Sequence, residues 1–417
     1  MKVIVSAALF SLTAYPVDAA SPTSGLKPAV AEFATYCANG TALWGRSLCG
    51  PLMFVDPTTK TATLGFDPML HGFARIDNLW SGPLPPGVAI ANTSVDIGGR
   101  RVAEILLPLP SDPVERRVLL AHESFHRIQP ALGFKGLETD NGHFDERDAR
   151  ITARLEAAAL VRALTVRDWR RAAADALSYR AERLRLYPAA RESEGALLAN
   201  EGLAEYTGVK VGAGADATKI AVSRLESAGS RPSLVRSLGY VVGPAYGQLL
   251  DRTGRAWRAA ALRGKPLPDL LAAALKLRPR ALVASDRYGG AKIVAEETAR
   301  AAKNAKQKAK LTAELIDGPT VTFPFEKMNI DFNPNTLFAL GPAGTVYSGK
   351  TNVRDSWGSL TATGDVLLPP DWSYGRVPGP AKIEGQRISG PGWSADLSAG
   401  YSAVPAERPG DLIVRKH

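Results

Sequence analysis

The strongest constraint on how this chain folds is the pentapeptide His122-Glu123-Ser124-Phe125-His126 together with the signals on either side of it. Histidines four residues apart share one face only on an α-helix, so an HExxH has a use only if the stretch is helical. The flanks predict that helix independently. Asp112-Pro113-Val114-Glu115 combines an N-cap, a proline at the first helical position and a glutamate placed for a capping box. The apolar run Val118-Leu119-Leu120 follows, and Pro130 and Gly133 stop the helix after about seventeen residues.

On that helix the two imidazoles can bind a single Zn²⁺, and Glu123 beside them can deprotonate a water, so the implied chemistry is metal-assisted hydrolysis. A solvated helix carrying these side chains without purpose is the bland alternative, and it is a poor one in a chain with only five histidines. A catalytic zinc takes a third protein ligand. Two acids compete for that place. Glu201 lies in Asn200-Glu201-Gly202-Leu203-Ala204-Glu205, a second predicted helix that stops near Gly208. Glu156 lies among Thr152, Ala153, Ala159 and Leu160, where a carboxylate needs either a metal or an arginine such as Arg150, Arg154 or Arg162. His143, in the turn-like Asp140-Asn141-Gly142-His143, is read as a loop residue, a further ligand or a second transition-state donor.

An HExxH followed by Asn-Glu-x-x-x-Glu resembles the gluzincin zinc metallopeptidases, and the Asn-Glu-Gly-Leu-Ala form is similar to their aminopeptidase branch. The resemblance implies zinc held by His122, His126 and Glu201, with Glu123 as general base and Glu205 hydrogen-bonded to a ligand histidine. It also gives Tyr240, in Tyr240-Val241-Val242-Gly243, the task of donating to the oxyanion, with Tyr206 and Tyr246 as weaker candidates. Gly202, at a cost of about 1 kcal/mol relative to alanine, is expected where this helix packs tightly on the HExxH helix.

Several features depart from the family. Seventy-four residues separate His126 from Glu201, far more than in the close relatives, and they read as an inserted helical hairpin over 146–164 and 169–187. The Gly-x-Met-Glu-Asn segment of zinc aminopeptidases is missing, and Gln129 and Leu132 stand where a metzincin needs Gly and His. An endopeptidase or specialised peptidase is therefore expected, with the strand-like residues 102–107 pairing with an extended peptide substrate. Two alternatives stand beside it: a zinc amidase acting on non-peptide amides, and a non-catalytic envelope binding protein whose structural zinc is closed by a side chain such as His143.

Residues 1–19 read as a secretory signal, with Lys2, an apolar run and a Val17-Asp18-Ala19 site, and residues 21 to about 50 as a candidate propeptide. No later stretch is long and apolar enough for a membrane span. Cys37 and Cys49 fit export: a disulfide between them would stabilise by roughly 3 kcal/mol. The charge of +10 survives removal of Lys2 and Asp18 and favours weak association with anionic envelope surfaces. No nucleic-acid module is present. The sequence thus predicts an α+β chain: a β-containing region over 20–110, a helical metallopeptidase domain over 111–311 with the hairpin 146–187 inserted, and a small β domain over 312–417. An alanine- and lysine-rich helix, 291–310, leads into the last of these.

Overall fold

Turn-rich sequence and helix-forming sequence alternate along the chain, and the elements follow that alternation. The computed structural model describes residues 25–134, 141–277, 284–333 and 336–417. The signal segment read from residues 1–19 lies outside them. The fold is α+β, in two compact units, one up to Thr298 and one from Ala299. Among the described residues no helix is long and apolar enough to cross a membrane.

The first unit opens with two helices, α1 (Leu26–Tyr36) and α2 (Gly40–Trp44), pinned by a disulfide between Cys37 and Cys49. Leu26, Phe33, Trp44 and Leu48 are buried in the main core, and the Trp44 indole lies 5.1 Å from the Phe125 ring inside the HExxH. From Leu26 onward the proposed propeptide is therefore part of the folded core, and its removal would uncover the helix beneath.

Six strands follow: β1 (Leu52–Asp56), β2 (Thr61–Leu64), β3 (Ala74–Ile76), β4 (Leu79–Pro83), β5 (Thr93–Ile97) and β6 (Arg100–Leu106). They form one sheet in the order β3-β4-β2-β1-β6-β5. The β5–β6 hairpin turns through Gly98 and Gly99, both in the left-handed region at φ 55° and 72°, where a side chain would be strained. The pairing expected of residues 102–107 is corrected here. β6 is bonded on both sides, antiparallel to β5 and parallel to β1, so the free edge belongs to β5. The hairpin is a local signal; the parallel partner fifty residues upstream is not.

Next comes α3 (Pro113–Ile128), carrying the HExxH. Asp112 caps it, its Oδ1 accepting from the backbone N–H of Val114 at 2.8 Å and of Glu115 at 2.9 Å. The capping-box arm is not made, because Arg224 takes the Glu115 carboxylate. The predicted hairpin follows as α4 (Arg147–Thr165) and α5 (Trp169–Leu186). Then α6 (Ala190–Leu197), a single π turn (Leu198–Gly202) and α7 (Leu203–Gly212) run on as one helix. The unit continues through α8 (Ala217–Glu226), α9 (Leu238–Arg252), α10 (Arg258–Leu262) and α11 (Leu267–Ala274), and α12 (Gly290–Thr312) crosses the boundary between units.

The central packing of this unit is α3 against α7 and α7 against α9, at glycines that let backbones touch. A Cβ on Gly208 would sit 2.7 Å from the Val118 carbonyl oxygen of α3, so Gly208 is an interior contact and not the helix stop expected of it. Gly202 likewise faces Gly243 of α9, whose own Cβ would lie 2.4 Å from the Gly202 Cα. The close approach predicted for Gly202 exists, but to α9 and not to the HExxH helix.

The second unit is a β-sandwich. Its seven-stranded sheet runs in the order Tyr401–Pro405, Leu412–Lys416, Thr320–Pro324, Tyr374–Pro378, Asp365–Leu368, Thr345–Ser348, Leu337–Ala339. A six-stranded sheet faces it, and Phe323, Val366 and Val377 of the first sheet share a core with Leu360, Trp393 and Ala395 of the second. Along Asp365–Leu368 successive apolar residues serve opposite faces: Val366 and Leu368 enter the sandwich, and Leu367 packs outside it on Leu311 and Leu315.

Candidate metal centre

Eight consecutive residues of α3, Val118 to Phe125, are buried, so the HExxH lies inside the unit and not at its surface. His122 and Glu123 are buried and His126 half-buried. The π turn brings Glu201 over them. Glu201 Oε2 lies 3.5 Å from His122 Nε2 and 3.4 Å from His126 Nε2, and the two Nε2 atoms are 3.0 Å apart.

The outer nitrogens decide what these inner atoms are. His122 Nδ1 is 2.7 Å from Glu205 Oε2, a carboxylate that only accepts, so Nδ1 carries the proton. His126 Nδ1 is 2.6 Å from Gln129 Oε1, an amide oxygen, with the same result. In neutral rings both Nε2 atoms are then bare lone pairs aimed at each other, and Glu201 Oε2, also buried and without a hydrogen-bond partner, completes the triangle. Three electron pairs at this spacing repel unless a proton or a metal cation lies between them. For zinc with ligands at 2.0–2.1 Å, tetrahedral geometry sets ligand atoms about 3.3 Å apart. The three separations fit that group.

Among the described residues His122, Glu123 and His126 are the set of ligand-type side chains whose atoms all fall within 4.8 Å. Glu123 nevertheless stands back, its Oε1 4.0 Å from His122 Nε2, and its Oε2 is buried without a partner. Of the two acids, Glu201 is the one that touches both imidazoles.

The electrostatics agree with a cradle for positive charge. Burial would lower the His122 imidazole, but the neighbouring carboxylates of Glu123, Glu201 and Glu205 outweigh it and hold it up at about 10. Burial pushes Glu201 up, yet His126 and His122 keep it well below the usual carboxylate range. Glu205 is also lifted by burial and held down, at about 2, chiefly by Arg224, which donates to its Oε1 at 2.7 Å. Glu123 has no such partner, and burial raises it to about 7 despite the neighbouring histidines.

Tyr240, in the first turn of α9, stacks on the His122 ring, with centroids 5.1 Å apart and planes 6° from parallel. Burial raises its hydroxyl well above the usual range, and Glu201, with which the hydroxyl bonds, raises it further. The weaker tyrosine candidates lie elsewhere: Tyr206 donates to Asp251 at 2.8 Å and Tyr246 to Glu156 at 2.5 Å.

Glu156, the rival ligand, is placed away from these atoms. Its partner is Arg183 of α5, at 2.7 Å, and not the arginines of its own helix, of which Arg150 and Arg154 bind Glu297. Arg183 also grips Glu194 through two bonds of 2.7 and 3.0 Å, and His143 Nε2 meets Glu194 at 3.0 Å. His143 is thereby committed to α6 and not to the metal centre. Sequence reasoning missed Gln129 and Arg224 as site residues. Gln129 lies three residues beyond His126, one helical turn on, which is the one signal that pointed to it. Comparisons with known protein families, with characterised proteins and with solved structures find no match to this chain.

Proposed function

We propose that the chain is an exported zinc-dependent hydrolase of amide bonds, a metallopeptidase acting on peptide or protein substrates. The observation that carries this reading is the convergence of two imidazole nitrogens and an unpartnered carboxylate oxygen within 3.0 to 3.5 Å, beside a second buried acid whose Oε2 has no partner. His122, His126 and Glu201 would hold the ion. Bound there, zinc supplies Lewis acidity, polarising a carbonyl and lowering the pKa of water.

The chain's own residues do the rest. Glu123 stands one step back from the triangle with Oε2 free, the position of a base that takes a proton from water and returns it to the leaving amine. Glu205, anchored by Arg224, keeps His122 in the tautomer that presents Nε2. Tyr240 keeps its proton at neutral pH, so its hydroxyl is a donor for Glu201 and for an oxyanion developing next to it. The free edge of β5 borders this helix, Ser94 Oγ lying 3.4 Å from the His126 carbonyl oxygen, and it offers an extended peptide a strand to pair with. Export is supported by the Cys37–Cys49 bridge, since disulfides persist in oxidising compartments.

The test separates metal binding from chemistry. Glu123→Gln is expected to keep one zinc per chain and lose peptide hydrolysis by about 10²- to 10⁴-fold, the usual contribution of a positioned base. Undiminished zinc-dependent hydrolysis in that variant would sink the assignment. A panel of peptides against non-peptide amides then distinguishes peptidase from amidase.

A further inference from the structure

We infer that Gln129 is a positioning residue that locks two ligands of the metal centre to each other, its amide oxygen fixing His126 and its amide nitrogen fixing the turn that carries Glu201. The inference rests on the metal-hydrolase reading above and goes beyond it to a residue outside the HExxH and Asn-Glu motifs.

Gln129 is buried, on the first residue of a 3₁₀ turn (Gln129–Leu132) that extends α3. Its Oε1 accepts from His126 Nδ1 at 2.6 Å. Its Nε2 donates to the Asn200 carbonyl at 3.0 Å and, more weakly, to the Ala199 carbonyl at 3.4 Å. These two donations orient the amide: reversed, it would place an oxygen against two carbonyl oxygens. The accepting carbonyls belong to the π turn, where Leu203 N–H is shared between the Leu198 and Asn200 carbonyls. Gln129 supplies the Asn200 carbonyl with a further, side-chain donor, and Asn200 is the residue that precedes Glu201.

The consequence is mechanical. His126 and Glu201 come from elements seventy-four residues apart, yet one planar amide spans them, so neither the ring nor the turn can rotate alone. Removing the amide frees both ligands together. Gln129→Glu keeps an acceptor for His126 Nδ1 but has no donor for the π turn, whereas Gln129→Met removes both.

The experiment measures zinc affinity of the full chain by chelator competition in wild type, Gln129→Met and Gln129→Glu, with the visible absorption of the cobalt-loaded proteins as a second readout. Gln129→Met is expected to bind zinc about 10- to 100-fold more weakly, the range for lost outer partners of ligand histidines, with an altered cobalt band. Gln129→Glu is expected to recover part of the affinity and move the band back toward wild type, a rescue that a purely structural glutamine would not give. Wild-type affinity and an unchanged cobalt band in Gln129→Met, or in Gln129→Glu should the first variant fail to fold, would overturn the inference while leaving the zinc reading intact. A wild-type chain that binds no zinc would overturn both.

Discussion

Two clusters of buried charge lie along one helix, and they differ in what they lack. Around Arg183, the carboxylates of Glu156 and Glu194 face the guanidinium groups of Arg183 and Arg180, with Tyr246 and His143 completing the set. Around His122 stand the carboxylates of Glu123, Glu201 and Glu205, and of these only Glu205 is bound by a guanidinium, that of Arg224, which also serves Glu115. The first cluster is balanced by the protein; the second is short of positive charge at the point where three electron pairs meet. Burial of an acid is therefore a poor guide to a metal site. What distinguishes Glu201 from Glu156 is the identity of the neighbours, a pair of imidazoles against an arginine.

The largest test of that contrast removes the cation from the balanced cluster. Arg183→Met strands Glu156 and Glu194 without their partner and is expected to cost about 3–5 kcal/mol in urea unfolding. A loss below about 1 kcal/mol would mean the cluster is not held as described. The same pairing sets a pH dependence. Burial pushes Glu194 up, but Arg183, His143 and Arg180 outweigh it and hold it at about 2, below the ordinary 4.5. Its contribution is present in full above about pH 4.5 and drains away as pH falls toward 2, so acid unfolding in that window should be blunted in Glu194→Gln.

For the unbalanced cluster the expectation runs the other way, because the missing charge can be supplied from solution. Zinc at a hundred times its dissociation constant should raise unfolding stability by about 2.7 kcal/mol, an increment that disappears with chelator and in Glu201→Ala. Equal response of Glu201→Ala and wild type to zinc would erase the distinction between the clusters. Glu205→Gln should act more mildly, weakening zinc about 10- to 100-fold by loosening His122, as read by chelator competition. Smallest of all, Asp112→Ala removes the cap of α3 and should cost about 1 kcal/mol, without changing the zinc stoichiometry.

Much of this was legible in the sequence where the signal is local. The cap at Asp112, the buried run through Leu120 and the i, i+4 histidines are all read within one helix, and so is the hairpin of α4 and α5 with its break before Trp169. Glu205 was legible because it repeats on the face of Glu201 one turn later. The partners that close each cluster were not. Arg183 reaches Glu194 across the bend between α5 and α6, and Arg224 comes to Glu205 from a separate helix. Many other arginines in this basic chain would have satisfied the pattern equally well. The parallel pairing of β1 with β6 was hidden for the same reason, since no turn joins them.

The π turn between α6 and α7 decides which way the acids of this helix face. In an unbroken α-helix Glu194, Glu201 and Glu205, spaced by seven and four, would project from a single face. A π turn amounts to one extra residue, which swings whatever follows by about 100°. Here that swing sends Glu194 toward the hairpin while Glu201 and Glu205 turn to the HExxH. Regular winding over the same seven residues would bring the three acids back into line, so the division between scaffold and centre hangs on the wider winding of a single turn.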